Sequence, residues 1–524
     1  LLNSYLVFAI LIVFGIGCLI GIIPVIQNFP FPVGYDSINY YLPALYDLNS
    51  NPVIGGTLFP VYVFLVYSFH LVSFSDLYLA FNVVNIVLYG SLSITTFLLF
   101  TAVLRQSVNK SILFTIFVIL QLSALRMAWD LHRDILALVC LNLSLVTLNH
   151  FRSNHFNKSA VLQYVTISVL YLATLFSDRM MGVLLIISSI FFSIRFKLLL
   201  LITINLLLLT LFLTYFFLLD DITFVSVGLN PVDTLVNPVY NKNSLSPYDL
   251  LVLQLSLYGI LIPFFIVGFL KKSNSLILKI PTLVTILLSF SWLLIPNHSY
   301  LVPERWIILS GFFVSIFSIY GFFLVADRLV NSKLRNLVSV LFVSSFMAYG
   351  ILFIVLPYGI VFTIPSIFQT QTGLTIPLSM SFNSLEIFKN QDLVNSIDWI
   401  NTHTRNNAEI IGTMHWRGWF HLFLEKPRQY IFSETVSLPS NYSKIDKNGT
   451  TLDDNLKTKI DLKCGKAEDD TNTNSISENE RNIYLIDSKS AYYDNYSSYP
   501  IVYDSEYILI YELPDLICGR SLFN

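Results

Sequence analysis

Uninterrupted runs of Leu, Ile, Phe and Val recur along this chain up to residue 356 and constrain it more than any other feature. Eleven such runs, from 5–26 to 336–356, approach the roughly 20 residues that an α-helix needs to cross a bilayer. A backbone placed in lipid must satisfy its own hydrogen bonds, which helices do within one segment. The run 5–26 is too long for a signal-peptide core and has no small-residue cleavage site after it, so it reads as the first membrane helix. Of 524 residues 55% are apolar and only 12% charged, against about 25% charged in soluble proteins. A water-soluble enzyme is excluded. The expected fold class is a polytopic α-helical membrane protein of about eleven spans, followed by a small α/β domain.

Charge locates the boundary between the two. Residues 1–356 hold 17 Lys/Arg and 12 Asp/Glu, whereas 357–524 hold 14 and 21. We therefore expect a membrane domain over 1–356, a Pro-containing linker over 357–391 and a polar domain over 392–524. Its acidic balance argues against nucleic-acid binding. Within it, 440–481 is rich in Asn, Asp, Lys, Ser and Thr and poor in apolar residues, which reads as a flexible insertion. Cys18 and Cys140 lie in apolar runs, as small hydrophobes do. Cys464 and Cys518 could pair if the polar domain faces an oxidising compartment.

The run 57–74 is ambiguous, because Pro60, His70, Tyr62 and Tyr67 interrupt it. The excess of Lys and Arg in cytoplasmic loops decides its placement. With 57–74 at the interface and the N-terminus cytoplasmic, 12 of the 17 basic residues of the membrane domain fall on the cytoplasmic side. Every acid of that domain except Asp327 then falls outside, along with the polar domain. A spanning 57–74 would reverse the bias. Ionisable groups thus gather at the outer ends of helices, whereas a solute carrier would hold them near the mid-plane. This is the layout of a membrane enzyme working at the outer surface.

The first outer loop opens with Pro30, Pro32 and Gly34, which end the helix and permit a tight turn, and then presents Asp36. Asp36 suits a general base acting on a substrate at the lipid surface; the alternative is a helix N-cap. Tyr35, Tyr40 and Tyr41 surround it with amphipathic rings, and Tyr35 and Tyr40 are candidates for contact with an acceptor. The second outer loop, 126–134, packs Arg126, Asp130, His132, Arg133 and Asp134 into nine residues. Asp130 and Asp134 are four apart and would share a helical face. They fit a second catalytic or metal-binding pair, with His132 or Arg133 on a phosphate; an internal salt-bridge knot is the alternative. The third loop holds the adjacent pair Asp178 and Arg179. The fourth, 220–247, starts acidic, carries three prolines and reads as a mobile lid. The fifth contains His298, Pro303, Glu304 and Arg305, with Arg305 placed to grip a lipid phosphate or to anchor at the interface. No Gly-rich phosphate loop, CxxC, HExxH or GxSxG occurs.

This pattern resembles the GT-C superfamily of membrane glycosyltransferases, with the layout of protein mannosyltransferases and aminoarabinose transferases. Gly34-Tyr35-Asp36 matches the family's early catalytic Asp, and Trp129-Asp130 through Asp134 matches its further acidic residues in a short loop. The segment 396–413 is similar to the family's helix, turn and strand after the last span. His415-Trp416-Arg417-Gly418-Trp419 stands where oligosaccharyltransferases carry Trp-Trp-Asp-Tyr-Gly, and its departure from that motif favours single-sugar transfer. The resemblance implies a polyprenyl-phosphate (dolichol-type) sugar donor and catalytic roles for Asp36, Asp130 and Asp134. It also implies donor-phosphate contacts from His132, Arg133, Arg179 and Arg305, and a lipid, glycan or protein acceptor. No cofactor is required, although a divalent cation is compatible with the paired acids. The competing classes are a transporter or flippase of lipid-linked glycans and a non-catalytic surface assembly protein.

In the polar domain an amphipathic helix is expected around 392–399 and strands at 408–413, 428–432, 483–486 and 507–511. His415, Trp416, Arg417, Trp419 and His421 form its unusual cluster. They read first as a strand edge in packing contact, and second as a sugar or acceptor contact through Trp416 and Arg417. Asn441, Asn448 and Asn495 lie in N-x-S/T sequons, which fits an outward-facing domain.

Overall fold

The computed structural model describes residues 4–34, 36–50, 60–151, 158–196, 201–210, 247–271, 276–294, 303–328, 332–355, 387–406, 408–413, 416–425, 428–433, 483–488 and 500–513. The expected lid 220–247, the insertion 440–481, His298, Cys464, Cys518 and the three sequons lie almost wholly outside these residues, as does most of the linker. The chain divides into two units, Leu1–Asp36 with Ala44–Ser381 and Ser37–Pro43 with Phe382–Asn524.

The first unit is helical throughout its described length. Its helices are α1 (Ser4–Asn28), α2 (Leu42–Ser50), α3 (Pro60–Ser73), α4 (Leu77–Leu98), α5 (Val108–Ile119) and α6 (Leu122–Asp130). They continue as α7 (His132–Phe151), α8 (Lys158–Ser177), α9 (Arg179–Phe196) and α10 (Leu201–Thr210). The last six are α11 (Pro247–Tyr258), α12 (Ile262–Leu270), α13 (Leu276–Ser289), α14 (Ser291–Leu294), α15 (Pro303–Ala326) and α16 (Ser332–Val355). Among the described residues five helices are long and apolar enough to cross a membrane, and α5 with α6, bent by 61°, makes a sixth. The expected eleven is not reached by this measure, because several apolar runs carry shorter helices such as Leu162–Ser177 and Leu276–Ser289. The ambiguous run 57–74 forms α3, whose 14 residues extend about 21 Å, short of a hydrocarbon core of roughly 30 Å.

The centre of this unit is α15. It is apolar on every face, and each residue from Trp306 to Phe322 is buried, as an all-round hydrophobic helix requires. By contrast α1 and α16 leave most of their apolar surface uncovered, for example at Leu11, Leu19, Val340 and Leu341. Helix α12 crosses α15 at a pair of glycines. A Cβ on Gly321 would strike the Phe264 carbonyl oxygen and stand 2.6 Å from the Gly268 nitrogen. A Cβ on Gly268 would strike the Phe317 carbonyl oxygen. Such small-residue crossings bring two backbones together where lipid offers no hydrophobic drive.

The second unit contains α17 (Ile387–His403), β1 (Glu409–Thr413), α18 (Arg417–Phe423), β2 (Gln429–Ser433), β3 (Ile483–Ser488), β4 (Ile501–Asp504) and β5 (Ile508–Leu513). The sheet order is β2-β1-β3-β5-β4. Strand β1 runs parallel to β2 and β3, with Ile411 opposite both Ile431 and Leu485, and β5 is antiparallel to β3 and β4. Ile397, Ile400, Ile410, Ile486 and Ile510 are fully buried and form its core. Arg428 closes the C-terminal end of α17, donating to the carbonyl oxygens of Asn401 at 2.6 Å and Thr404 at 2.8 Å. Cationic donors suit the negative end of a helix dipole.

The described helix and strands cover the expected ones, with β4 in addition. That strand is four residues long, and its ends, Ile501 and Asp504, are exposed, so no alternation marks it. The cluster around residue 417 is not a strand edge but the helix α18. Trp419 is wholly buried and stacks against Phe423 at 5.9 Å, and Phe420 stacks on Tyr430 at 4.1 Å. The stacking of Trp419 on Phe423, four residues on, is the i, i+4 contact of a helix.

Gly321→Ala should lower stability to unfolding in detergent by about 1–3 kcal/mol, the usual cost of overpacking. Gly15→Ala, with open space around its Cβ position, should not. Equal unfolding midpoints for the two variants would contradict the close crossing.

Candidate active site

The described part of the first outer loop builds its turn from sequence. The Asn28 amide donates to the Pro24 carbonyl at 3.0 Å, and the Phe31 N–H donates to the Asn28 carbonyl at 2.7 Å, so α1 ends where the prolines begin. Gly34 adopts φ 87°, in the left-handed region where a side chain is strained. Asp36 follows, buried, and immediately ahead of a π-helical turn, Ser37–Tyr41. Such turns concentrate at functional sites.

Opposite Asp36 stands Arg305, from the first turn of α15, with its Nη2 3.9 Å from Asp36 Oδ2. A second cluster lies on α7 and α9. Arg133 Nε donates to Asp134 Oδ1 at 3.3 Å and lies 4.0 Å from Asp178 Oδ2. Asp178 also caps α9, because its Oδ1 accepts from the Met181 N–H at 2.9 Å. The two clusters form one electrostatic unit. Burial pushes the Asp134 carboxyl up to about 7, and the charge of Asp178 adds to this. Arg133 and Arg305 pull it back, and Asp36 raises it further. Asp134, in the outer loop, is thus held well above the ordinary carboxylate range, by burial first and by Asp178 second.

The expected site residues separate in this geometry. Asp36, Arg133, Asp134 and Arg305 come together, joined by Asp178. His132 is buried between rings, edge-on to Phe81 at 5.5 Å and stacked near Tyr62 at 6.5 Å. Burial lowers its pKa to about 3. A neutral imidazole supplies no cation, so a phosphate contact at His132 would be a hydrogen bond from its ring N–H alone. Arg179 is exposed on the first turn of α9. Asp130 closes α6, but its side chain, like all of Tyr35, lies outside the described residues. Tyr40, Trp416 and Arg417 are half-buried and belong to the second unit. Among the described residues no three His, Cys, Asp or Glu side chains converge on a metal position. In the sequence Asp178 stands out only as the acid of the adjacent pair Asp178 and Arg179, and its signal is its place just before a helix start in a short loop.

Neither the family models nor the curated proteins match this chain. Among solved structures, the chain is similar to ArnT from Cupriavidus metallidurans, crystallised in the apo state. The TM-score is 0.51 at 11% identity, over 96% of this chain and 97% of that one. The likeness is one of fold. Its helices long and apolar enough to cross a membrane mark the chain as an integral membrane protein.

Linkage gives the Asp134 environment a pH signature. Its folded pKa of about 7 exceeds the ordinary 3.8, so between these values the folded state keeps a proton that the unfolded state has lost. The wild type should thus lose stability as pH rises through this window, and Asp134→Asn should not. Unfolding midpoints measured from pH 4 to 8 should show the Asn variant gaining on wild type up to about pH 7. A constant difference would contradict the assignment.

Proposed function

We propose that this chain is an integral-membrane glycosyltransferase moving a sugar from a polyprenyl-phosphate donor to a lipid, glycan or protein acceptor on the extracytoplasmic face. The N-terminus is cytoplasmic and the second unit extracytoplasmic in this reading, following the distribution of basic residues. The observation that carries it is Asp36 facing Arg305 within a buried group of acids and guanidiniums. The ArnT-like fold supports the same class.

The reaction has two electrostatic demands. The acceptor hydroxyl or amine loses its proton to the Asp36 carboxylate as its heteroatom bonds to the sugar C1. The bond from C1 to the donor phosphate oxygen breaks, and the leaving polyprenyl phosphate carries one more negative charge. Arg305, beside Asp36, stabilises that charge, with Arg133 behind it. Positive charge builds on the ring in an oxocarbenium-like transition state, where the neighbouring carboxylates are favourable. Asp134, able to hold a proton near pH 7, keeps the crowded acids from repelling one another when the site is empty. A lipid-linked donor accounts for the lack of any nucleotide-binding motif in the sequence.

Purified wild type reconstituted with a panel of polyprenyl-phosphate sugars should release or transfer sugar. Asp36→Asn should be slower by about 10²–10⁴-fold, the usual contribution of a positioned base, in protein that still unfolds cooperatively. Donor binding without turnover, indifferent to Asp36→Asn, would replace the enzyme reading with a flippase.

A further inference from the structure

The chain first passes from one unit to the other at the peptide bond after Asp36 in the first outer loop. Asp36 belongs to the first unit, and Ser37–Pro43 to the second. Within the second unit, the π-helical turn Ser37–Tyr41 packs against α18. The Asn39 side-chain carbonyl Oδ1 accepts a hydrogen bond from the Gly418 backbone N–H at 2.9 Å. Gly418 allows no side chain, because a Cβ would strike the Ile38 carbonyl oxygen and approach the Asn39 Cα to 2.8 Å. Ser37 and Ile38 are fully buried, as are Trp419 and Phe420 on the other partner. A backbone-to-backbone fit and one side-chain hydrogen bond thus fix the turn that begins at the residue after Asp36.

We infer that Asn39 and Gly418 are positioning residues for Asp36. The contact of α18 with the loop sets the backbone from which the Asp36 carboxylate reaches toward Arg305. Two constraints hold Asp36 along the chain, the left-handed turn at Gly34 on one side and this clamp on the other. Misplacing a catalytic group by about an ångström costs on the order of 10²-fold in rate. The inference assigns a task to the Trp416-Arg417-Gly418-Trp419 segment that needs no direct contact with sugar. It rests on the glycosyltransferase reading for its catalytic consequence, but the geometric claim stands apart from it.

The test compares Asn39→Leu, which keeps the size and loses the acceptor, with Asn39→Asp, which keeps an acceptor oxygen, and with Gly418→Ala. Carbodiimide labelling of carboxylates, read by peptide mass spectrometry, reports the surroundings of Asp36, with Asp76 as the internal reference. Asn39→Leu and Gly418→Ala should raise labelling at Asp36 several-fold relative to Asp76, and Asn39→Asp should restore the wild-type level. With an active donor, kcat should fall at least tenfold in the first two variants with KM for the donor unchanged. Faster amide exchange over 37–41 without any change at Asp36 would overturn the proposal. So would a parallel rise at Asp36 and Asp76, which marks general loosening. If wild type transfers no sugar from any donor, the labelling still decides the positioning claim, and only the functional reading fails.

Discussion

Charged groups buried at the end of an apolar bundle must neutralise one another, and the arrangement around Asp36 depends on that requirement. An ion removed from water loses solvation worth several kcal/mol even after relaxation. Asp36, Arg133, Asp134, Asp178 and Arg305 meet it collectively, two guanidiniums against three acids, with Asp134 able to stay protonated near neutral pH. The group is therefore sensitive to any change in its charge count. Arrival of an anionic phosphate is such a change, and it would compete with the acids for the same guanidiniums.

The scaffold makes this arrangement rigid where it matters. Arg305 rises from the first turn of α15, whose next turns are enclosed on all sides and locked to α12 through Gly268 and Gly321. Asp134 and Arg133 lie on the first turn of α7, and Asp178 is tied to the backbone of α9 by its own cap. Helix starts thus supply four of the five charged groups. Helix starts also suit acids and anions, because their free N–H groups carry partial positive charge. Asp36 is the exception, held on a loop between a left-handed glycine and a π turn.

Much of the site was legible as pattern. Prolines and a glycine before Asp36 announced a chain leaving a helix and turning, and φ 87° at Gly34 is that turn. Short loops dense in charge, 126–134 and 176–182, announced side chains with no solvent reason to be there. Pattern could not rank the members of those loops. His132 and Arg133 are adjacent in sequence, yet one packs between Phe81 and Tyr62 and the other reaches two carboxylates. Neighbours on a helix point about 100° apart, and only the packed bundle says which direction holds rings and which holds charge. Likewise Asp178 and Arg179 are neighbours, yet one is tied to its helix as the cap and the other is exposed.

Composition by itself determined the membrane character, the division into an apolar and an acidic part, and the gathering of ionisable residues in a few loops. These are properties of free energy of transfer and of charge count, which depend on residue type and order alone. Tertiary structure decided which of those residues meet. It joined Asp36 to Arg305, 269 positions along the chain, and brought Asn39 to Gly418, 379 positions away. It also made the aromatic cluster after β1 a helix with Trp419 buried. Contacts across such separations depend on how helices cross and where backbones fit closely, and no local preference of the chain encodes them.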